Sequence, residues 1–152
     1  MDTVFWNNAI TMGVALLGAG LGIMNTWQAI SAGRVRLRVK PAYAIGVPAG
    51  EMMFSIEVVN LSNFAVTVTE VGFTLDGNTI KSRTRAAVAL PILIDRKPWP
   101  RRLEARESVS AYFDPREMAG GRKLGQAYAR TACGEVRYGS SPAAKQLRDI
   151  AT

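Results

Sequence analysis

The sequence contains no histidine, and its only cysteine is Cys133. The absence of histidine removes the commonest general base, the Ser-His and Cys-His nucleophile pairs and the usual zinc ligand sets. A single cysteine cannot form an intramolecular disulfide, and this mildly favours a reducing compartment. The glycine-rich, basic stretch at 119–125 lacks the residue order of a phosphate-binding loop. We therefore expect no enzyme activity, no cofactor and no metal site.

Charged side chains are absent from Thr3 to Gly33. All 19 Lys and Arg residues lie at or after Arg34, and only Asp2 of the 12 acidic residues precedes it. The segment 34–152 therefore has a net charge of +8, against +7 for the whole chain. Such asymmetry indicates either a membrane or polyanion partner, or a soluble domain that is simply rich in arginine.

The charge-free stretch has the length of a membrane span. Residues 9–24 are apolar except for Thr11. At about 1.5 Å per residue, roughly 20 helical residues cross a hydrocarbon core about 30 Å thick. Trp6 and Trp27 would be about 31 Å apart on a helix, one at each interface, with Phe5 beside the first. We predict a transmembrane helix over about residues 6–28, within an N-terminal segment 1–33.

Two other interpretations of this stretch remain open. One is a secretory signal peptide cleaved near "AIS" at 29–31, which would make the domain secreted or periplasmic. A signal peptide begins with positive charge, however, whereas the only charged side chain before Arg34 is the acidic Asp2. The other is a buried helix of a soluble protein, because the many glycines make the run only moderately hydrophobic.

Small or polar residues recur at steps of three and four within the predicted span and therefore share one helix face. They are Thr11, Ala15, Gly18, Gly22, Asn25 and Ala29. Small residues allow two helix backbones to approach closely, and an intramembrane Asn needs a hydrogen-bond partner. This small-residue face predicts helix–helix contact in a homo- or hetero-oligomer. The alternative is that Gly and Ala are simply common in spans.

Four cations alternate with apolar residues directly after the span, and we call them the cationic comb: Arg34, Arg36, Arg38 and Lys40. Residues 1–8 contain no Lys or Arg, so the charge bias predicts an outside N-terminus and a cytoplasmic C-terminal domain. The comb also lies at the predicted membrane interface, where anionic headgroups attract cations by about 1 kcal/mol each.

From residue 34 the hydrophobic period becomes two, which predicts a β domain over 34–152. Alternating patterns predict strands over 34–40, 54–59, 64–75 and 108–113, and two further strands over 126–132 and 135–139. The polar segment 79–85 is predicted as an edge strand, and 88–94 as an edge strand or packed loop. A step of three between Val68 and Val71 predicts a β-bulge. The pattern also predicts turns at 60–63 and 76–78, and a two-residue hairpin turn at 133–134. Ser141-Pro142 predicts the start of a short helix that ends at Ile150.

Many short strands with regular turn signals and no intervening helix indicate an antiparallel sandwich. The arrangement resembles an immunoglobulin-like β-sandwich, and "IEVVNLSNFAVTVTEVGF" at 56–73 is similar to strand pairs in many bacterial and phage sandwich domains. The paired cysteines of true immunoglobulin domains are missing, and the resemblance transfers no functional residue. The predicted fold is mainly β: one transmembrane α-helix, an immunoglobulin-like β-sandwich and a short C-terminal helix.

The segment "ILIDRKPWPRR" at 92–102 is the candidate partner contact. Trp99 lies between two prolines, and we expect it to be stiff and exposed like an interface anchor, with Arg101 and Arg102 beside it. The alternative is that Trp99 only closes the end of the sandwich. A deletion of its side chain would separate these two interpretations.

The sequence as a whole predicts a non-catalytic, membrane-anchored scaffold protein whose sandwich binds other proteins. One setting is the cell envelope. Another is the internal membrane of a virion, with the domain facing the capsid. The alternative function is a membrane-tethered nucleic-acid-binding module, because the comb would contact phosphates as well as lipid headgroups.

Overall fold

The computed structural model describes residues 3–46, 50–75, 84–114 and 124–150. The chain divides into two compact units, Met1–Arg34 and Val35–Thr152. The first unit contains one helix, and the second is a mainly antiparallel β domain with a short helix at its C-terminal end.

Helix α1 runs from Thr3 to Ala32 and contains no charged residue. The hydroxyls of Thr11 and Thr26 donate to the carbonyl oxygens of Asn7 and Gly22, both at 2.8 Å, so neither hydroxyl needs water. The part from Trp6 onwards is long and apolar enough to cross a membrane, and none of its apolar window is buried. The core helix of a soluble protein is mostly buried, so this finding disfavours the soluble-helix alternative.

Within the described residues, eight strands and a second helix follow. They are β1 (Leu37–Gly46), β2 (Glu51–Asn60), β3 (Val66–Leu75), β4 (Arg85–Ala87), β5 (Arg101–Leu103), β6 (Ser108–Phe113), β7 (Leu124–Thr131), β8 (Val136–Gly139) and α2 (Pro142–Ile150). The first sheet has the order β1-β2-β6, and the second has the order β4-β3-β7-β8. Strand β5 pairs with the start of β3, and every pairing is antiparallel.

One hydrophobic core joins the two sheets. Its members come from all three strands of the first sheet, from β3, β5 and β7 of the second, and from α2. Phe54, Phe73 and Phe113 form its centre, with ring centroids 5.7 to 6.0 Å apart in tilted and edge-on geometry. The domain therefore has the two-layer arrangement of a β-sandwich, and the mainly β fold class predicted from the period of two is confirmed.

The alternating pattern correctly predicts which faces of the strands are buried. On β2 the side chains of Phe54, Ile56 and Val58 are completely buried. The predicted β-bulge is also present, because the register of β3 against β7 shifts between Val68 and Glu70. Both results follow from local rules, since side chains of a strand alternate between its two faces.

The turn between β7 and β8 is one residue longer than predicted. The Gly134 amide donates to the Thr131 carbonyl at 2.9 Å, and the Thr131 amide donates to the Glu135 carbonyl at 2.9 Å. Gly134 has φ of 88°, which closes a three-residue loop over 132–134. At α2 the cap prediction is confirmed, because the Ser141 hydroxyl accepts a hydrogen bond from the Ala144 amide at 3.2 Å.

The turn at 60–63 connects two strands that do not pair. Strand β2 belongs to the first sheet and β3 to the second, so this segment crosses between the sheets. The interpretation of 56–73 as a strand pair is therefore wrong. Alternation specifies the buried face of a strand but not its neighbour, and β2 pairs instead with β6 from much later in the chain.

Three other segments differ from expectation or lie partly outside the described residues. Strand β1 begins at Leu37 rather than residue 34, and it continues through Pro41, which is tolerated in this edge strand. Of the predicted strand 79–85 only Thr84 and Arg85 are described, and the turn at 76–78 is not. Residues 88–94 form a loop, with one bridge between Ile92 and Tyr112.

Candidate membrane and partner surfaces

The aromatic residues of the predicted membrane interfaces are exposed on α1. Trp6 is 67% exposed and Trp27 is 68% exposed, and the side chain of Phe5 lies outside the described residues. Helical spacing places Thr11, Ala15, Asn25 and the glycines of the small-residue face along one side of α1. A Cβ built on Gly18 or Gly22 meets no atom within 4 Å, so this face is open. Helix–helix contact through it stays a prediction.

All four side chains of the cationic comb are exposed. On β1 the cations Arg38 and Lys40 point away from the core, whereas Val39 between them is only 6% exposed. The Arg36 backbone is held by Ser62, whose hydroxyl accepts from the Arg36 amide at 2.8 Å. Among the described residues, no ion pair neutralises any comb cation. The comb is therefore available to an anionic surface, and its lipid contact stays a prediction.

Trp99 is less exposed than the sequence predicted. Its side chain is half-buried against the core cluster, and its indole N–H donates to the Thr69 carbonyl at 3.0 Å. The flanking prolines keep the segment out of a central strand, but they do not force the ring into solvent. The geometry matches the alternative interpretation, in which Trp99 closes the sandwich.

The two arginines after Trp99 have different surroundings. Arg101 is only 7% exposed and lies 2.8 Å from Asp95 and 3.3 Å from Glu107. Alternation on β5 turns it and Leu103 inward, so the side chain of Arg101 is not presented to a partner. Arg102 points outward with 70% of its side chain exposed, and it pairs with Glu104 at 3.0 Å. Of the three predicted contact residues, only Arg102 presents its side chain to solvent.

Trp99→Ala is expected to lower the stability of the β domain by about 2–4 kcal/mol, because it removes a large packed ring and leaves a cavity. Trp99→Phe keeps most of the packing and loses the bond to Thr69, so we expect a cost of only about 1 kcal/mol. Thermal unfolding followed by near-ultraviolet circular dichroism measures both. An unchanged melting temperature for Trp99→Ala would contradict the packing role and favour the interface anchor.

The outer face of the second sheet carries a cluster that the sequence did not reveal. The Tyr128 hydroxyl donates to a Glu70 carboxylate oxygen, and Arg85 stacks over the Tyr128 ring with 5.2 Å to the centroid. Burial, followed by the hydrogen bond to Glu70, raises the pKa of Tyr128 well above its usual value. Arg130 lies 3.8 Å from Glu70 on the same face. The hydrogen bond, the cation–π contact and the ion pair connect these side chains to one another, so the cluster stabilises the pairing of β3 with β7.

Cys133 is exposed in the β7–β8 turn. The Thr131 hydroxyl lies 3.1 Å from its sulfur, and this hydrogen bond lowers the pKa of the Cys133 thiol. The nearby cations are occupied elsewhere, since Arg130 pairs with Glu70 and Arg137 with Glu135. Within the described parts of the chain, no group of three or more Cys, Asp or Glu side chains is placed to hold a metal ion.

The loop that follows β4, residues 88–97, carries large aliphatic side chains on its outer surface. Leu90 is 88% exposed, Ile92 56% and Ile94 78%. The pattern in "VALPILI" suggested an apolar strand or packed loop but did not indicate that half of these residues would face outward. We call this segment the 88–97 loop.

Neither known protein families nor curated protein sequences give a match to this chain. The fold and surfaces described above therefore define only a class, namely a chain with one apolar, span-length helix and an antiparallel β domain. The immunoglobulin-like resemblance remains an architectural prediction.

Proposed function

We propose that this chain is a single-pass membrane-anchored scaffold protein without catalytic activity, whose β domain binds other proteins at the membrane surface. The observation that carries the proposal is the charge-free helix α1, whose apolar window of span length is entirely unburied. About 20 apolar residues left in water would be strongly unfavourable, whereas a bilayer solvates all of them. The β domain beyond Val35 has its own core, so it needs no packing from α1.

The proposed topology places the N-terminus outside and the β domain in the cytoplasm. It is supported by the exposed comb after α1 and by the absence of Lys and Arg from residues 1–8. The absence of a second cysteine, and so of an intramolecular disulfide, agrees with a cytoplasmic compartment. In a virion with an internal membrane, the same orientation turns the domain outward to the capsid, because a vesicle formed in the cytoplasm keeps its cytosolic face outside.

A membrane-impermeant thiol reagent tests this topology. In intact cells we expect no labelling of the native chain, whose only thiol is the exposed Cys133, and full labelling after permeabilisation. The variant Thr3→Cys with Cys133→Ser, whose only thiol precedes the predicted span, should be labelled in intact cells. Changing all four comb residues to Gln should give a mixture of both orientations. Labelling of native Cys133 from outside would overturn the cytoplasmic assignment.

A membrane-tethered nucleic-acid-binding module is the second candidate function. The observation that favours it is that the comb cations have no ion pair among the described residues. Counterion release would make such binding fall steeply with salt, by a slope of about −0.9 per neutralised phosphate. Affinity for duplex DNA measured across salt concentrations distinguishes the two functions. A nucleic-acid-binding module loses affinity steeply as salt rises, whereas a scaffold retains its protein partners.

A further inference from the structure

The 88–97 loop is pinned at three points, so the exposure of its aliphatic side chains is built into the fold. The Val88 amide donates to the Val71 carbonyl at 2.9 Å. Further along, Ile92 exchanges two backbone hydrogen bonds with Tyr112, at 2.9 and 3.0 Å. After the loop, the indole of Trp99 bonds to Thr69. Val88 and Leu93 pack towards the core, and the residues between and beside them are turned outward.

Three large aliphatic side chains within five residues form a ridge on this surface. Single exposed aliphatics are ordinary, but a contiguous group of them indicates a surface that another apolar phase covers. Leu90 and Ile94 are more than three-quarters exposed, so their present environment provides little packing. The ridge consists of Leu90, Ile92 and Ile94.

The charges beside the ridge indicate which phase covers it. Arg96 and Lys97 follow Ile94 after one intervening residue, Asp95. Both cations are exposed, and neither has an ion pair among the described residues. The one carboxylate between them and the ridge belongs to Asp95, and Arg101 holds it at 2.8 Å. A groove of about 360 Å³ is lined by Leu90, Leu93 and Trp99 together with these two cations. The surface of this loop therefore carries exposed aliphatic and exposed cationic side chains close together.

We propose that the 88–97 loop docks on a bilayer containing anionic lipids, with the ridge among the acyl chains and Arg96 and Lys97 at the phosphates. Aliphatic side chains next to cations match the acyl and headgroup layers of such a surface. Because the inference rests on the proposed membrane anchor, the bilayer is present at high effective concentration and weak docking suffices. The domain would thus have a second lipid contact, separate from the comb.

An environment-sensitive fluorophore on the full-length chain tests the docking. The reporter variant carries Leu90→Cys and Cys133→Ser, and the native chain labelled at Cys133 is the control. In vesicles of phosphatidylcholine with phosphatidylserine, we expect a blue shift at position 90 and none at 133. Phosphatidylcholine alone should weaken the shift. Adding Arg96→Gln and Lys97→Gln should lower the ratio of docked to undocked chains about fivefold for each cation removed.

A matched variant removes two cations elsewhere. Arg130→Gln with Arg137→Gln lowers the net charge equally but should leave the shift at position 90 unchanged. Equal emission at 90 and 133 in anionic vesicles would overturn docking. So would a blue shift in neutral detergent micelles that grows with protein concentration, because a second copy would then cover the ridge. Flotation of the same vesicles reports anchoring: chains that float without a shift refute only the docking, whereas chains that fail to float refute both proposals.

Discussion

Asn60→Ala is expected to destabilise the β domain by about 3 kcal/mol or more, because it leaves several buried polar groups without partners. The Asn60 side chain is completely buried where β2 crosses to β3. Its amide nitrogen donates to the carbonyl oxygens of Phe64, Leu103 and Glu104 at 2.8 to 3.2 Å, and its oxygen accepts from the Ser62 amide at 2.9 Å. One side chain therefore ties the crossover to the end of β5.

Equilibrium unfolding of the full chain in detergent micelles measures this effect. Asn63→Ala in the same segment is the matched control, because Asn63 is exposed and we expect a change within about 0.5 kcal/mol. Asn60→Asp keeps the shape but faces a carboxylate towards three carbonyl oxygens, so it should be as damaging as Asn60→Ala at neutral pH. Equal free energies of unfolding for the Asn60 and Asn63 variants would show that the buried hydrogen bonds of Asn60 do not stabilise the domain.

Leu17→Arg combined with Leu21→Arg is expected to remove the chain from membranes. Both positions lie near the middle of α1, and both side chains are about two-thirds exposed or more. Insertion of an arginine at the centre of a span costs about 2.5–3.5 kcal/mol, so the pair costs about 5–7 kcal/mol. The variant should appear in the supernatant after alkaline carbonate extraction, whereas the native chain should stay in the pellet.

The control places the same charges near the end of the helix. Gln28→Arg with Ser31→Arg puts two arginines at the predicted interface, where their side chains reach the headgroups, so membrane retention should be unchanged. The control also adds to the positive bias after the span and should not alter topology. A double arginine variant at 17 and 21 that stays in the pellet would mean that α1 does not hold the chain in the bilayer.

Much of the architecture followed from patterns that act locally. The charge-free run predicted a helix, and the helix extends over Thr3–Ala32. The alternation of apolar and polar residues predicted the buried faces of β2 and β6. The step of three residues between Val68 and Val71 predicted the bulge in β3. Ser141 and Pro142 predicted the start of α2. Each of these depends on one residue and its near neighbours in the chain, so the sequence carries the information directly.

The candidate contact surface was less predictable. Proline and tryptophan together suggested an exposed anchor, but the ring of Trp99 found a carbonyl acceptor on β3 and packed inward. Arg101 was a candidate partner contact but is buried, and Asp95 and Glu107 lie close enough to compensate its charge. The exposed ridge at Leu90 and Ile94 looked like ordinary apolar sequence. The surroundings of Trp99 come from a segment that is distant in sequence, and those of Arg101 depend on how the chain folds back around β5.

By itself the sequence determined that this protein has one span-length apolar helix, a cationic comb after it and a β domain without histidine chemistry. Hydropathy, charge and alternation are properties of the local chain, and water or lipid acts on them residue by residue. Only the tertiary structure decided that β2 pairs with β6 instead of β3, and that Asn60 is the hub of the crossover. Strand pairing depends on which distant surfaces pack best together, and no local pattern contains that comparison.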